Sequence, residues 1–389
     1  MLALTAASLL TPNQRVETPL LLVDDGKVVE VCSRAAREIP SNAKHVNFRD
    51  AVLAPGLIDL HIHGSAGRDV MDSDLNALHE IGTFLARHGV TSFFPTTVTA
   101  PLEKMFAALD RLASVIEAAG KSKDSGSPPC ACPVGIHLEG PFLSHVRRGV
   151  HPPINLLQPS VQIFEQFWEA SRGHIRLITI APEMDGALAV IKAAAAKNVC
   201  VSMGHSDANL ASTRAAIAAG ARHATHTFNA MRPLNHREPG ILGQILTDAR
   251  VSADIIADGI HIDPVIVDIF LKAKGEDAAV LITDAISATG MPNGRYRLGS
   301  MDVDVKDGTC LADGKLAGSV LTLDRAVRNV MKFAQWEFQN ALRLATANPA
   351  RVSGISDRKG KLVPGADADI SVFSPDGELR QVIVGGRLD

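Results

Sequence analysis

The chain has 389 residues, of which 46% are hydrophobic and 21% charged, with a formal net charge of −3. Such a length suits one large α/β barrel or two ordinary domains rather than one small core, and the charge balance, without a basic block, excludes nucleic acid as a partner. Five cysteines, an odd and low count, exclude a disulfide framework and point to a reducing cytoplasm, and the lack of an apolar run of about 18 residues excludes a membrane span.

In chain order, "MLALTAASLLTPNQR" has a short apolar start with no basic segment before it, and is predicted to be a first strand rather than a signal peptide. "TPLLLVDDGKVVEVC" carries β-branched runs on both sides of Asp25-Gly26, a hairpin signal. Apolar segments at 57–63, 91–97, 134–140, 176–183, 199–205, 223–228, 251–259 and 279–285 are predicted strands. Amphipathic stretches such as 74–88, 101–119, 186–197 and 208–219 are predicted helices between them. Eight strand–helix repeats fit a (β/α)8 TIM-like barrel. "KSKDSGSPPCACP" (121–133) is a polar loop, and 141–172 and 286–320 are longer excursions, the second rich in hairpins. The end of the chain is strand-like again, with turns at Pro375-Asp376-Gly377 and Gly385-Gly386. Residues 1–53 and 355–389 are therefore expected to meet as a small β-sandwich, with 54–354 inserted between them as the barrel.

Ionisable residues recur at the C-terminal ends of the predicted strands: His61 and His63, Glu139, Glu183, His205, His226, Asp258 and Asp284. In a (β/α)8 barrel that end carries the active site. One such histidine reads as a hydrogen-bonded structural residue, but four with a glutamate and an aspartate read as a metal site. In "PGLIDLHIHG", His61 and His63 are two residues apart and point to one side of a strand. Imidazole and carboxylate suit a borderline-soft divalent ion such as zinc, and Glu139, His205 and His226 can complete the shell. A bound ion brings the pKa of water from about 15.7 to about 7, which prepares attack on an amide. An amine leaves poorly without a proton, and Asp284 is placed to carry one; its structural alternative is a cap on "DAISATG".

"PGLIDLHIHG", "HLEGPF", "GHS", "THTFNAM", "REPG", "DGIHID" and "TDAISATG", with the terminal "GKLVPGADADI", resemble the motif series of the N-acetylglucosamine-6-phosphate deacetylases of the amidohydrolase superfamily. The resemblance implies that Glu139, His205 and His226 hold the constant metal and that Asp284 is the acid/base. With His61 and His63 both present, it leaves one or two ions per subunit: zinc first, iron or another divalent ion behind it. No lysine closes the fourth strand at "TIAPE", so a carbamylated-lysine bridge is not expected and Glu139 takes the bridging place. The resemblance further implies a phosphorylated amino sugar bound by Val150, His151, Asn229, Ala230, Arg237, His261 and the segment Leu316, Ala317 and Gly318, with a homodimer completing the phosphate contacts. Arg237 suits bidentate contact with phosphate; its alternative is a surface salt bridge, and His261 can instead cap the helix near Asp263-Pro264. The implied reaction removes acetate from N-acetylglucosamine 6-phosphate. The galactosamine epimer, a cyclic amide, isomerisation of a phosphosugar, or binding without catalysis are the rival readings.

Other polar residues read as structural. Cys130 and Cys132 have no histidine or further cysteine near in sequence and read as loop thiols. His137 reads as a packed interior residue, His79 and His88 as helix-surface or capping residues, and His223 as the start of its strand. "GSAG" at 64–67 lacks the lysine and spacing of a phosphate loop and reads as a flexible turn.

Overall fold

The computed structural model describes residues 1–11, 14–74, 76–119 and 129–388; residues 121–128 of the predicted loop at 121–133 lie outside them. Both chain ends form antiparallel-rich sheets. Leu2–Thr5, Pro19–Asp24, Lys27–Ser33 and Lys44–Asn47 make a four-stranded sheet, in which Asp25 and Gly26 form the tight turn between Asp24 and Lys27. A five-stranded sheet joins Ser8–Leu10, Arg15–Glu17 and Val52–Pro55 to Ile370–Phe373 and Leu379–Ile383 from the far end of the sequence. Leu4 and Leu21 of the first sheet and Leu9, Leu53, Ile370 and Ile383 of the second belong to one buried apolar cluster. Alternating side chains therefore give each sheet one face to bury, and the two faces share a core.

Between these ends run eight parallel strands: Leu57–Ile62, Val90–Thr97, Ile136–Glu139, Ile175–Ile180, Cys200–Met203, His223–Ala224, Ala253–Ile255 and Ala279–Leu281. Each begins within two residues of its predicted segment, although several are shorter. Backbone bonds continue the ring where ladders break: Thr227 N–H to Asp254 O at 2.9 Å joins the sixth strand to the seventh, and Asp284 N–H to His61 O at 2.9 Å joins the eighth to the first. The arrangement is that of a TIM-like barrel. Its strands read as continuous apolar runs because both faces are covered; Val90–Thr97 is buried at all eight positions. Helices Ala77–Ala86, Leu102–Ala119, Ala187–Ala196 and Leu210–Ala219 match the predicted ones. Leu102–Ala119 shows why: Met105, Ala108, Leu109 and Leu112 recur at helical spacing and are the buried face.

The two excursions differ. Residues 141–172 contain the helix Val161–Ala170, begun by Ser160, whose side chain accepts from Ile163 N–H. Residues 286–320 form a four-stranded antiparallel meander, Gly294–Leu298, Met301–Lys306, Thr309–Ala312 and Lys315–Leu316. Residues 64–67 are more ordered than a flexible turn, because Gly64–Ser65 pairs with Arg68–Asp69. No helix among the described residues is long and apolar enough to cross a membrane.

Candidate active site

The barrel strands deliver the predicted ligands to one point. His61 lies in the first strand and His63 just past it; their Nε2 atoms are 3.1 Å apart. Glu139 ends the third strand. His205, His226 and Asp284 lie two or three residues beyond the fifth, sixth and eighth strands, each with left-handed backbone at φ of 46°, 31° and 49°. Such a conformation costs on the order of 1–3 kcal/mol for a non-glycine residue, and it turns each side chain from the strand path into the barrel mouth. Gly204 is required before His205: a Cβ there would lie 2.9 Å from both Thr179 Cγ2 and Thr225 Cβ of the flanking strands.

Glu139 is the hub. Its Oε1 is 3.3 Å from His205 Nε2, 3.2 Å from His226 Nε2 and 3.5 Å from His61 Nε2, while its Oε2 is 3.2 Å from His63 Nε2. Asp284 Oδ1 is 3.4 Å from His61 Nε2 and 3.2 Å from His63 Nε2. The ring contacts suit a cation site. His63 Nδ1 lies 3.1 Å from Thr96 O and His205 Nδ1 3.0 Å from Arg147 O. A carbonyl only accepts, so both Nδ1 atoms carry protons, and each Nε2 faces a Glu139 oxygen either as a lone pair or with a second proton. Lone pairs facing one another at about 3 Å repel unless a cation lies between them. His61 Nδ1 and His226 Nδ1 are buried without a partner. The donor set, imidazole nitrogen and carboxylate oxygen from the first, third, fifth, sixth and eighth strands, fits zinc or a similar divalent ion.

Among the described residues, two groups of three donors come close enough to hold an ion: His61, His63 and Asp284, and Glu139, His151 and His205. His151 differs from the others. Its Nδ1 meets Thr99 Oγ1 at 2.9 Å and Thr99 N–H at 3.4 Å, while its Nε2 faces Glu139 Oε2 at 3.5 Å. His226 Nε2 lies 3.0 Å from His205 Nε2 and 3.2 Å from Glu139 Oε1, on the same side of the cluster.

The electrostatics agree. Burial disfavours a charged His63, but the carboxylates of Asp284 and Glu139 outweigh it and lift the pKa to about 10. His226 is raised to about 9 against burial, chiefly by Glu139. His205 is lowered to about 4, mainly by burial. Burial opposes ionisation of Glu139 and Asp284, yet the surrounding histidines, His61 first, hold both carboxyl groups well below the usual range. The cluster attracts positive charge.

A pocket opens above it, lined by His63, Glu139, His205, His226 and Asp284 together with Val150, His151, Asn229, Ala230, His261, Leu316, Ala317 and Gly318. Every predicted substrate residue except Arg237 is in that lining. Arg237 is exposed and lines a separate groove with Arg147, Asp207, Arg232, Pro233, Asn235 and Glu238. Asp258 is a partner rather than a ligand, its Oδ2 accepting from His261 Nδ1 at 2.7 Å. Asp263, not His261, caps the helix Pro264–Ala278, and no helix begins at Asp284. Glu183 is turned away, accepting from Ser206 Oγ at 2.7 Å and Asp207 N–H at 2.6 Å.

Some supporting residues escaped sequence reading. Asp59, fully buried inside the motif that supplied His61, accepts from Thr283 Oγ1 at 2.6 Å and so ties the first strand to the eighth. A carboxylate inside an apolar strand was the available signal. His223 begins its strand as predicted, but its Nε2 also bonds Asp254 Oδ2 at 2.9 Å, and Asp254 accepts the backbone N–H of His226. His137 is buried as predicted, bonded to Thr179 Oγ1 at 2.8 Å and edge-on to His61. Cys130 does have a histidine beside it, His79 Nδ1 at 3.7 Å, brought from 51 positions away. Neither Cys130 nor Cys132 joins a group of three metal-capable side chains among the described residues.

Fold and site together define a barrel hydrolase of the kind that binds its ion at the strand ends. The chain belongs to the amidohydrolase family, whose model matches residues 52–388. It is 35% identical to the N-acetylglucosamine-6-phosphate deacetylase of Bacillus subtilis (strain 168) over 382 residues, covering 98% of this chain and 95% of that one. It is 38% identical to the N-acetylgalactosamine-6-phosphate deacetylase of Escherichia coli O157:H7 over 387 residues, covering 99% and 98%. Among solved structures, the N-acetyl-D-glucosamine-6-phosphate deacetylase of Mycobacterium smegmatis, a mutant in complex with N-acetyl-D-glucosamine-6-phosphate, superposes with a TM-score of 0.90 at 34% identity, covering 99% of this chain and 98% of that one.

Proposed function

We propose that this protein hydrolyses the acetamide of N-acetyl-D-glucosamine 6-phosphate to D-glucosamine 6-phosphate and acetate in amino sugar catabolism. The observation that carries the reading is the convergence of Glu139, His205, His226 and Asp284 in one pocket with His151, Asn229 and His261. Glu139, His205 and His226 would hold a divalent ion, zinc by preference, and His61 and His63 supply ligands for a second. Such an ion lowers the pKa of a water toward 7 and polarises the amide oxygen. Asp284, kept ionised by the histidines around it, takes the proton of the attacking water and returns it to the departing nitrogen. His151 bonds the acetyl oxygen or a sugar hydroxyl. Asn229, whose Nδ2 is buried without a partner, and the neighbouring Ala230 offer donors to the sugar phosphate.

Arg237 stands outside its own chain's pocket, and we assign it to the phosphate of a partner's substrate in a homodimer. Residues 1–53 and 355–389 are assigned to a small β-sandwich attached to a hydrolase barrel at 54–354. Five free cysteines suit the cytoplasm. A second reading, the galactosamine epimer as substrate, is favoured by the 38% identity to the Escherichia coli O157:H7 relative. Acetate release from both 6-phosphates by purified, metal-analysed protein decides between them. Turnover of the glucosamine derivative at least tenfold faster supports the first reading; the reverse ratio supports the second, and no acetate from either, with metal bound, refutes both.

A further inference from the structure

Asp207 lies two residues beyond His205 and is not in the pocket lining. Its side chain nonetheless joins two loops that are. One carboxylate oxygen accepts from Arg147 Nε at 2.8 Å and the other from Arg232 Nη2 at 2.9 Å. Arg147 belongs to the excursion after the third strand, which also carries Val150 and His151; Arg232 follows Asn229 and Ala230 after the sixth strand. The backbone of Asp207 is itself fixed, its N–H donating to Glu183 Oε1 at 2.6 Å while Glu183 Oε2 accepts from Ser206 Oγ at 2.7 Å.

Arg147 is the connection that matters for the ion. Its carbonyl oxygen accepts from His205 Nδ1 at 3.0 Å, which places a ring proton on Nδ1 and directs Nε2 to Glu139 and His226. The same excursion returns a second bond, Ser144 N–H to His205 O at 3.0 Å, and Gly149 packs so closely that a Cβ there would stand 3.1 Å from His205 Cε1. The orientation of His205 is thus set by a loop that Asp207 ties down at Arg147, the residue whose carbonyl meets the ring.

We propose that Asp207 is a positioning residue: through Arg147 it holds the carbonyl that orients His205, and so sets how tightly the ion is retained. The inference rests on the reading of Glu139, His205 and His226 as metal ligands. Groups that orient a metal histidine typically contribute 10–100-fold in affinity. The bond on Arg232 anchors the substrate loop instead and leaves the Arg147 carbonyl in place.

The test is competition for zinc between metal-free protein and a chromophoric chelator, independent of turnover. Asp207→Asn and Arg147→Ala are expected to bind zinc about 10–100-fold more weakly than wild type. Arg232→Ala is expected within about threefold of wild type while raising KM, and Arg147→Lys to restore most of the affinity lost in Arg147→Ala. Arg147 is partly exposed, so its variants carry the test if Asp207→Asn fails to fold. Wild-type affinity in both Asp207→Asn and Arg147→Ala overturns the inference and leaves the metal reading intact, as does equal weakening by Arg232→Ala. A wild-type protein that takes up no zinc removes the metal centre and this role with it.

Discussion

Replacing Lys359 with methionine tests how the C-terminal strands are fastened to the barrel. The ammonium is 7% exposed, 3.0 Å from Asp367 Oδ2 and paired with Asp369. Asp367 keeps Lys27 at 2.6 Å and Arg358 at 3.2 Å after the change, whereas Asp369 keeps the N–H of Gly385 at 2.8 Å. Asp369 also accepts Gly56 N–H through its backbone at 2.9 Å, at the entry to the first barrel strand. A buried carboxylate stripped of its cation costs about 3–5 kcal/mol. With an unfolding entropy of about 2.1 cal/mol/K per residue, 389 residues give about 0.8 kcal/mol/K, so Lys359→Met should lower Tm by about 4–6 °C. Burial disfavours the ammonium, but Asp369 and Asp367 outweigh it and raise its pKa above 10.5. A raised lysine contributes its stability in full below the unfolded pKa and loses it as pH climbs through the folded one. The gap between wild type and variant should therefore be constant from pH 6 to 9 and shrink above about 10.5. Calorimetric melts across that range check both parts. A Tm change under about 1 °C at neutral pH, or a gap that widens in alkali, would refute the reasoning.

Three further outcomes follow from the site. Asp284→Asn should keep its metal and lose several orders of magnitude in kcat, since acid/base transfer alone contributes about 10²–10⁴-fold; metal analysis beside steady-state kinetics checks it, and near-wild-type turnover removes Asp284 from the proton path. Replacing His61 and His63 together with asparagine should lower the metal-to-protein ratio from two to one if the second group of donors is used, and an unchanged ratio limits the site to Glu139, His205 and His226. Arg237→Ala should raise KM for the phosphorylated sugar by about 10- to 150-fold, the equivalent of 1.5–3 kcal/mol for a charged hydrogen bond, and leave KM for the unphosphorylated sugar near wild type.

What was legible in the sequence is what periodicity and local pairing control. The eight barrel strands stand out as apolar runs covered on both faces, and Asp25-Gly26 marks its hairpin because a two-residue turn needs those backbone angles. The clustered histidines and carboxylates could be found because each lies in a strand or within three residues of its end. Long-range partners could not: Arg147 meets His205 across 58 positions and Thr283 meets Asp59 across 224, and neither pairing leaves a local pattern. Cys130 shows the same limit, since only the folded chain brings His79 to it. Arg237 has the chemistry of a phosphate ligand, but sequence does not reveal that it lies in a groove apart from the catalytic pocket.

The most direct measurement is an anomalous-difference map from crystals of the zinc-loaded protein. The account predicts a peak about 2.0–2.2 Å from His205 Nε2, His226 Nε2 and a Glu139 carboxylate oxygen together, with Asp284 beside it. Saturating zinc with no peak among those three residues would contradict it.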